Sequence, residues 1–212
     1  MRFGIAISVL VSVTACSKSP AGSASKVDAQ PAAAVPPALG RLVGRAPRPN
    51  PGAFVIVLLE PEAPREFPPQ TDMPVMDQIA LTFAPDVLFV RTGQPVAFLN
   101  SDETLHNINV QEDATRTQAF NVALPTGGAY KYTFTRDGFY HVRCDIHSQM
   151  AAEIVATSTP YTTLADEEGR FAIEDVAPGA YRLTVWARGN KLQRDVEMKP
   201  GDTQVDLRGA SE

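Results

Sequence analysis

Cationic side chains, histidine, cysteine and long apolar runs are all scarce in this 212-residue chain, and each scarcity removes a class of function. Lysine and arginine number 19 against 24 aspartates and glutamates, a formal charge of −5. A protein that tracks nucleic-acid phosphates needs clustered cations, so nucleic acid is not an expected partner. The stretch from Phe3 to Ala15 is too short for a bilayer span, which takes roughly 20 apolar residues, and no transmembrane helix is expected after it. A P-loop and a G-x-S-x-G nucleophile turn are both missing. What the chain does have is 18 prolines, 14 glycines, 44% hydrophobic and 20% charged residues. That balance is globular, with room for one or two modest domains, and proline suits turns and strand edges rather than helix interiors. The expected fold class is all-β.

Met1 and Arg2 followed by the apolar stretch read as a signal peptide over 1–15. It ends Val13-Thr14-Ala15-Cys16, which resembles the lipobox of bacterial lipoproteins, with valine where leucine is usual. The resemblance implies acylation of Cys16 and, because Ser17 rather than aspartate follows, residence in the periplasm on the outer membrane. Ordinary cleavage near Ala24 is the alternative. Residues 16–38, rich in Ala, Ser and Pro, have almost nothing large to bury and read as a flexible tether. With Cys16 lipidated, Cys144 is the only remaining thiol, alone in an oxidising compartment. Metal ligation explains it; a buried inert thiol is the plainer alternative.

From Arg41 onward, short apolar alternations recur between turn signals. Strands are expected at 41–45, 53–60, 79–83, 87–92, 95–100, 107–111, 130–135, 138–144 and 153–157, forming a sandwich over 39–157. The run Phe54 to Leu59 suits a strand covered on both faces. A second β unit, 158–212, is expected to be marginal alone and to lean on the first. Its alternating residues are Phe171 and Ile173, then Tyr181, Leu183 and Val185, then Leu192, Val196 and Met198.

Between Gly138 and Met150 the chain reads GFYHVRCDIHSQM, so Cys144, His147 and Met150 stand at C-x-x-H-x-x-M. Thiolate, imidazole and thioether from one strand end and its loop are the donors copper prefers, and His106 supplies a second imidazole from another strand. Zinc is the rival, yet methionine is not among its usual ligands. Singly these residues mean little; together they indicate one type 1 copper ion cycling between Cu(II) and Cu(I). His141 shares strand parity with Arg143 and opposes Cys144, which removes it from the ligand set and leaves it exposed. Met73-x-x-Met76 could offer thioethers to Cu(I), but packing is the better reading, and Asp166-Glu167-Glu168 reads as a solvated turn.

The segment from Val96 to Val155, with Asn100, Asp102, His106 and Asn107, then Gly138, Tyr140 and Cys144, resembles the plastocyanin-like cupredoxins, with a ligand-loop spacing closer to amicyanin. The resemblance implies a Greek-key sandwich with His106, Cys144 and His147 as equatorial ligands, Met150 as the axial one, and Asn107 bracing the loop. It also implies that the edge of His147 is the electron portal, flanked by Ile146, Ala151 and Ala152. Residues 161–171, 176–181 and 185–186 resemble a carboxypeptidase-regulatory-like, transthyretin-type β-sandwich following the cupredoxin, as in exported proteins labelled methylamine-utilisation or plastocyanin-like. That module identifies a fold and says little about function.

An enzyme is not expected. Two of the three histidines are used at the type 1 site, leaving none for the further copper centres of nitrite reductases or multicopper oxidases. A binuclear purple site needs a second loop cysteine, which residues 145–149 lack. The expected activity is one-electron transfer by a monomer to a periplasmic or membrane redox protein, for instance a cytochrome. Copper storage or delivery, or an interaction module without electron transfer, stays open as the alternative.

Overall fold

The computed structural model describes residues 38–187 and 190–209. The expected leader, nearly all of the tether and Cys16 lie outside the described residues. Within them the fold is all-β, sixteen strands with no helix. The strands are β1 (Gly40–Arg45), β2 (Ile56–Pro61), β3 (Val75–Ile79), β4 (Thr82–Ala84), β5 (Val87–Arg91), β6 (Pro95–Asn100), β7 (His106–Glu112) and β8 (Gln118–Leu124). They continue as β9 (Ala129–Thr133), β10 (Gly138–Arg143), β11 (Ala151–Thr157), β12 (Thr162–Leu164), β13 (Arg170–Val176), β14 (Gly179–Ala187), β15 (Asn190–Met198) and β16 (Gly201–Asp206).

One sandwich packs the five-stranded sheet β5-β11-β10-β7-β8 on the four-stranded sheet β4-β3-β6-β9. Its core is the inward parity of each strand: Val96 and Phe98 from β6, Ile108 and Val110 from β7, Tyr140 and Val142 from β10, and Ile154 from β11. The other sandwich packs β13-β1-β16 on β12-β2-β14-β15 around Leu42, Val57, Leu59, Ile173, Tyr181 and Leu183.

This pairing corrects the expected start of the first sandwich at residue 39, while its expected end at 157 coincides with the end of β11. β1 pairs antiparallel with β13 and parallel with β16, and β2 lies between β12 and β14, so both belong to the second sandwich. The second sandwich does not follow the first; the first is inserted into it between β2 and β12. Chain order hid this because strand alternation marks a strand's buried face but not its neighbour. The arrangement also answers the concern that the second unit is too small, since β1 and β2 complete its core. Gly44 of β1 shows how tightly: a Cβ there would stand 2.3 Å from the Phe171 ring and 2.6 Å from the Val205 side chain.

The apolar run of β2 is covered on both faces, as its composition predicts. Val57 and Leu59 face the second core, while Ile56 joins Val87, Val155, Phe89, Phe139 and Trp186 in a separate cluster where the two sandwiches meet.

Other expectations shift. The stretch 79–83 is a hairpin rather than a strand, because Ala80 and Leu81 adopt φ of 54° and 58°. Their amides donate to the Asp102 carboxylate at 2.6 and 2.9 Å, a tertiary contact that overrides apolar residues' strand preference. β8, β12, β16 and all but the last residue of β3 lie outside the expected strands. β8 does carry an alternation, Phe120, Val122 and Leu124, whereas β16 has little apolar content and is held by its pairing with β1.

Candidate metal centre

The pleat determines which side chains converge. On β10, Tyr140 and Val142 face the core, and Cys144, one step beyond the strand, continues that parity and is 3% exposed. β7 pairs with β10, Val110 opposite Val142, so the first residue of β7, His106, lies on the same inner face at the same end of the sandwich, fully buried. Residues 144–150 bridge β10 to β11, and the loop is cinched by Cys144 N donating to Met150 O at 3.2 Å and Met150 N donating to His147 O at 3.0 Å. Folding thus brings together residues 38 apart in sequence.

His106 Nδ1 lies 2.9 Å from His147 Nδ1, and Cys144 Sγ lies 3.9 and 3.8 Å from these nitrogens. The point equidistant from the three atoms is about 2.1 Å from each, the bond length of roughly 2.0–2.3 Å that imidazole and thiolate make to an ion of zinc's size. The three donors therefore form a trigonal cradle that fits one first-row metal ion without moving. Met150, 1% exposed at the end of the same loop, adds a soft thioether to the donor set, which selects copper over zinc. Among the described residues this is the one group of His, Cys and acidic side chains arranged to hold a metal ion.

A polar shell orients the ligands. Asp102 Oδ2 is 2.9 Å from His106 Nε2. The carboxyl is held below the usual carboxylate range, first by the Leu81 amide and then by His106 and the Ala80 amide, so it is an acceptor and His106 Nε2–H donates to it. That assignment leaves the Nδ1 lone pair directed into the cradle. The same carboxylate secures the Ala80–Leu81 turn, so one residue ties a hairpin to a ligand.

Asn107, 7% exposed, works on the loop. Its Oδ1 accepts from Asp145 N at 2.6 Å and from the Cys144 thiol at 3.4 Å, while its Nδ2 donates to Asp145 Oδ2 and Asn121 Oδ1. Asn109 and Asn121, opposite each other on β7 and β8, also donate to Asp145. Three amides on the outer face of the sheet thus clamp the residue after the cysteine. They hold its carboxyl below the usual range, Asn109 most, then Asn121 and Asn107. Gln78, fully buried on β3, donates to the Asn107 carbonyl at 3.1 Å and links the second sheet to this corner.

The sequence reading did not single out Asp102, Gln78, Asn109, Asn121 or Asp145 as part of this shell. A signal existed for two: an acidic residue four before His106, and one immediately after Cys144. Of the expected portal residues, Ile146 is 50% exposed and Ala151 is exposed, but Ala152 is buried in the core and offers no surface for docking. His141 lies on the opposite face of β10, half-buried rather than exposed, between Glu153 at 2.8 Å and Asp113 at 2.9 Å. Met76 is core and Met73 exposed, so the two thioethers do not form a pair, and Asp166 caps a turn by accepting from the Glu168 and Arg170 amides.

Comparison with known families bears on the copper sandwich. Residues 71–157 match the family model of copper binding proteins, plastocyanin/azurin family, and residues 127–205 match that of polysaccharide lyase family 4, domain II. Among solved structures, a purple cupredoxin from Nitrosopumilus maritimus aligns at 22% identity and TM-score 0.36, over 39% of this chain and 98% of that one. A methionine-to-alanine variant of amicyanin in its Cu(I) form aligns at 22% identity and TM-score 0.37, over 47% and 97%. A copper-containing nitrite reductase from Thermus scotoductus aligns at 25% identity and TM-score 0.37, over 46% of this chain and 25% of that one. No curated protein matches the chain. The family match over 71–157, laid on a corner where two imidazoles and a thiol meet and a loop methionine is buried, makes this segment a copper-binding domain of the plastocyanin/azurin type.

Proposed function

We propose that the protein carries single electrons in the periplasm, held to the outer membrane by lipid on Cys16 and exchanging electrons with a redox protein such as a cytochrome. The observation that carries the reading is the cradle: Sγ of Cys144 and the Nδ1 atoms of His106 and His147 already stand 2.9 to 3.9 Å apart, with Met150 buried at the end of the same loop. Copper, when bound, supplies a one-electron couple between Cu(II) and Cu(I).

The chain's own residues keep the donor positions the same in both states. Asp102 holds the His106 ring from behind, Asn107 holds the Cys144 thiol and the backbone amide that follows it, and the loop hydrogen bonds hold Met150. Donors braced in this way move little when the charge at their centre changes. His106 is fully buried and His147 partly exposed, so the His147 ring is the route between site and solvent. Exposed Ile146, Leu105 and Leu81 provide an apolar margin suited to brief docking of small area.

The test is a visible absorption titration of the chain with Cu(II), repeated with Cys144→Ser, followed by stopped-flow electron exchange with a reduced cytochrome. An intense thiolate-to-copper band at one equivalent, absent in the variant, with rapid exchange, is the expected result. Stoichiometric copper without electron exchange would replace the carrier reading with storage or delivery. Cys16→Ser, followed by fractionation of cells, tests the membrane attachment: the variant is expected to leave the membrane fraction.

A further inference from the structure

The chain leaves the second sandwich through residues 62–74 and returns to it through 158–161, and between these two crossings sits a buried cation without an ion-pair partner among the described residues. Arg91 closes β5 on the strand face that also carries Val87 and Phe89, the face turned toward the second sandwich. It is 8% exposed. Its Nε has no hydrogen-bond partner, and among the described residues no carboxylate lies within ion-pairing distance of its guanidinium. Its one close companion is the Phe67 ring, 5.3 Å from Cζ. Asp137, the acid that acts on it through space, is occupied by Thr92 Oγ1 and by the amide and hydroxyl of Ser158. Burial accordingly pulls the Arg91 pKa below that of a free guanidinium. Buried charges are ordinarily paired, because an unpaired one forfeits its hydration without return.

Arg91 lines a cavity of about 250 Å³ whose other polar walls include Gln70, Thr71, Thr159 and Thr162, and whose lining contains no aspartate or glutamate. Gln70 spends its Oε1 on the Arg91 backbone amide, which leaves its Nε2 protons free. The Thr71 and Thr162 hydroxyls have no partner among the described residues, while Thr159 Oγ1 is spent on the Leu59 carbonyl. One guanidinium, one amide and two hydroxyls can therefore donate into a hollow with no competing anion, and such a set matches a small oxyanion.

We infer that Arg91, Gln70, Thr71 and Thr162 form a binding site for a small oxyanion, phosphate or carboxylate, at the junction of the two sandwiches. The bound anion joins the outgoing crossing, the end of β5 and the start of β12 through one centre, so occupancy locks the two sandwiches together. The site is separate from the copper cradle and independent of its loading.

Thermal unfolding of the full chain in sodium phosphate, sodium acetate and sodium chloride at matched ionic strength tests this, with Arg91→Met and Thr162→Val alongside the wild type. The midpoint is expected to rise by about 5–10 °C over chloride at a hundredfold excess of the preferred anion over its Kd. The rise should vanish in Arg91→Met and shrink in Thr162→Val. A rise in phosphate alone identifies a phosphate site, and a rise in acetate as well identifies a carboxylate-accepting one. No rise over chloride in either anion would overturn the inference, as would an equal rise in wild type and Arg91→Met. Should Arg91→Met fail to fold, the Nε–H resonance of wild-type Arg91 decides: it should shift on phosphate or acetate titration, and an unmoved resonance in both refutes the site.

Discussion

Replacing Asn107 with alanine separates a bracing role from mere proximity, because the neighbouring amide of Asn109 touches the same carboxylate without touching the loop backbone. Asn107 is buried and its Oδ1 is the acceptor for Asp145 N at 2.6 Å; its removal strands that amide as well as the Cys144 thiol. An unsatisfied amide in a part-buried position costs about 1–3 kcal/mol, so Asn107→Ala should lose about 2 kcal/mol of metal-free stability. Asn109 donates only to Asp145, at 3.0 and 3.2 Å, in an exposed setting where Asn107 and Asn121 remain to satisfy the acid. Asn109→Ala should lose about 0.5 kcal/mol. With a urea m-value of about 2 kcal/mol/M, the two losses correspond to midpoint shifts of about 1 M and 0.25 M. Urea unfolding of the metal-free chain, monitored by far-ultraviolet circular dichroism, reads both. Equal midpoints for the two variants, or a larger shift for Asn109→Ala, would refute the assignment of Asn107 as the brace of the ligand loop.

Asp102→Asn keeps an acceptor for His106 but loses the charge that fixes its tautomer, and copper affinity measured by chelator competition should fall about 10–100-fold. In Met150→Ala the trigonal donors remain, so the copper band should persist while the reduction potential moves; an unmoved potential in voltammetry would remove Met150 from the axial position. Phe139→Ala empties part of the cluster between the sandwiches and should cost about 2 kcal/mol. The single tryptophan, Trp186, packs on Phe139 with ring centroids 6.2 Å apart, and its fluorescence should report earlier unfolding there than at the copper domain. Tyr181 is fully buried with its hydroxyl donating to Ala177 O, and burial pushes its pKa up to about 12. The folded value exceeds the unfolded one of about 10, so the contribution to stability is whole below pH 10 and fades as pH rises toward 12. Tyr181→Phe should flatten that alkaline slope in ultraviolet-monitored denaturation.

The copper donors were legible before folding because chemistry constrains them locally. C-x-x-H-x-x-M places three donors on one strand end and loop, and parity on β10 put Cys144 inward and His141 outward from spacing alone. The all-β class was likewise legible from proline, glycine and short alternations. The shell around the donors was not. Asp102 reaches both a ligand ring and a turn that apolar residues disguise as strand, and the three asparagines meet at Asp145 only because β7 and β8 pair Asn109 with Asn121.

The sequence by itself determined that the chain is a β protein with a soft, four-donor metal site, since periodicity and donor identity are properties of short segments. Tertiary structure alone decided which strands share a sheet. β1 and β2 look like the opening of the copper sandwich and instead complete the second one, across separations of more than a hundred residues. It also decided that Arg91, an ordinary residue at a strand end, lies buried without a counter-charge between two chain crossings. Both outcomes depend on non-local pairing, whose energy comes from the partner strand and not from the segment that is paired.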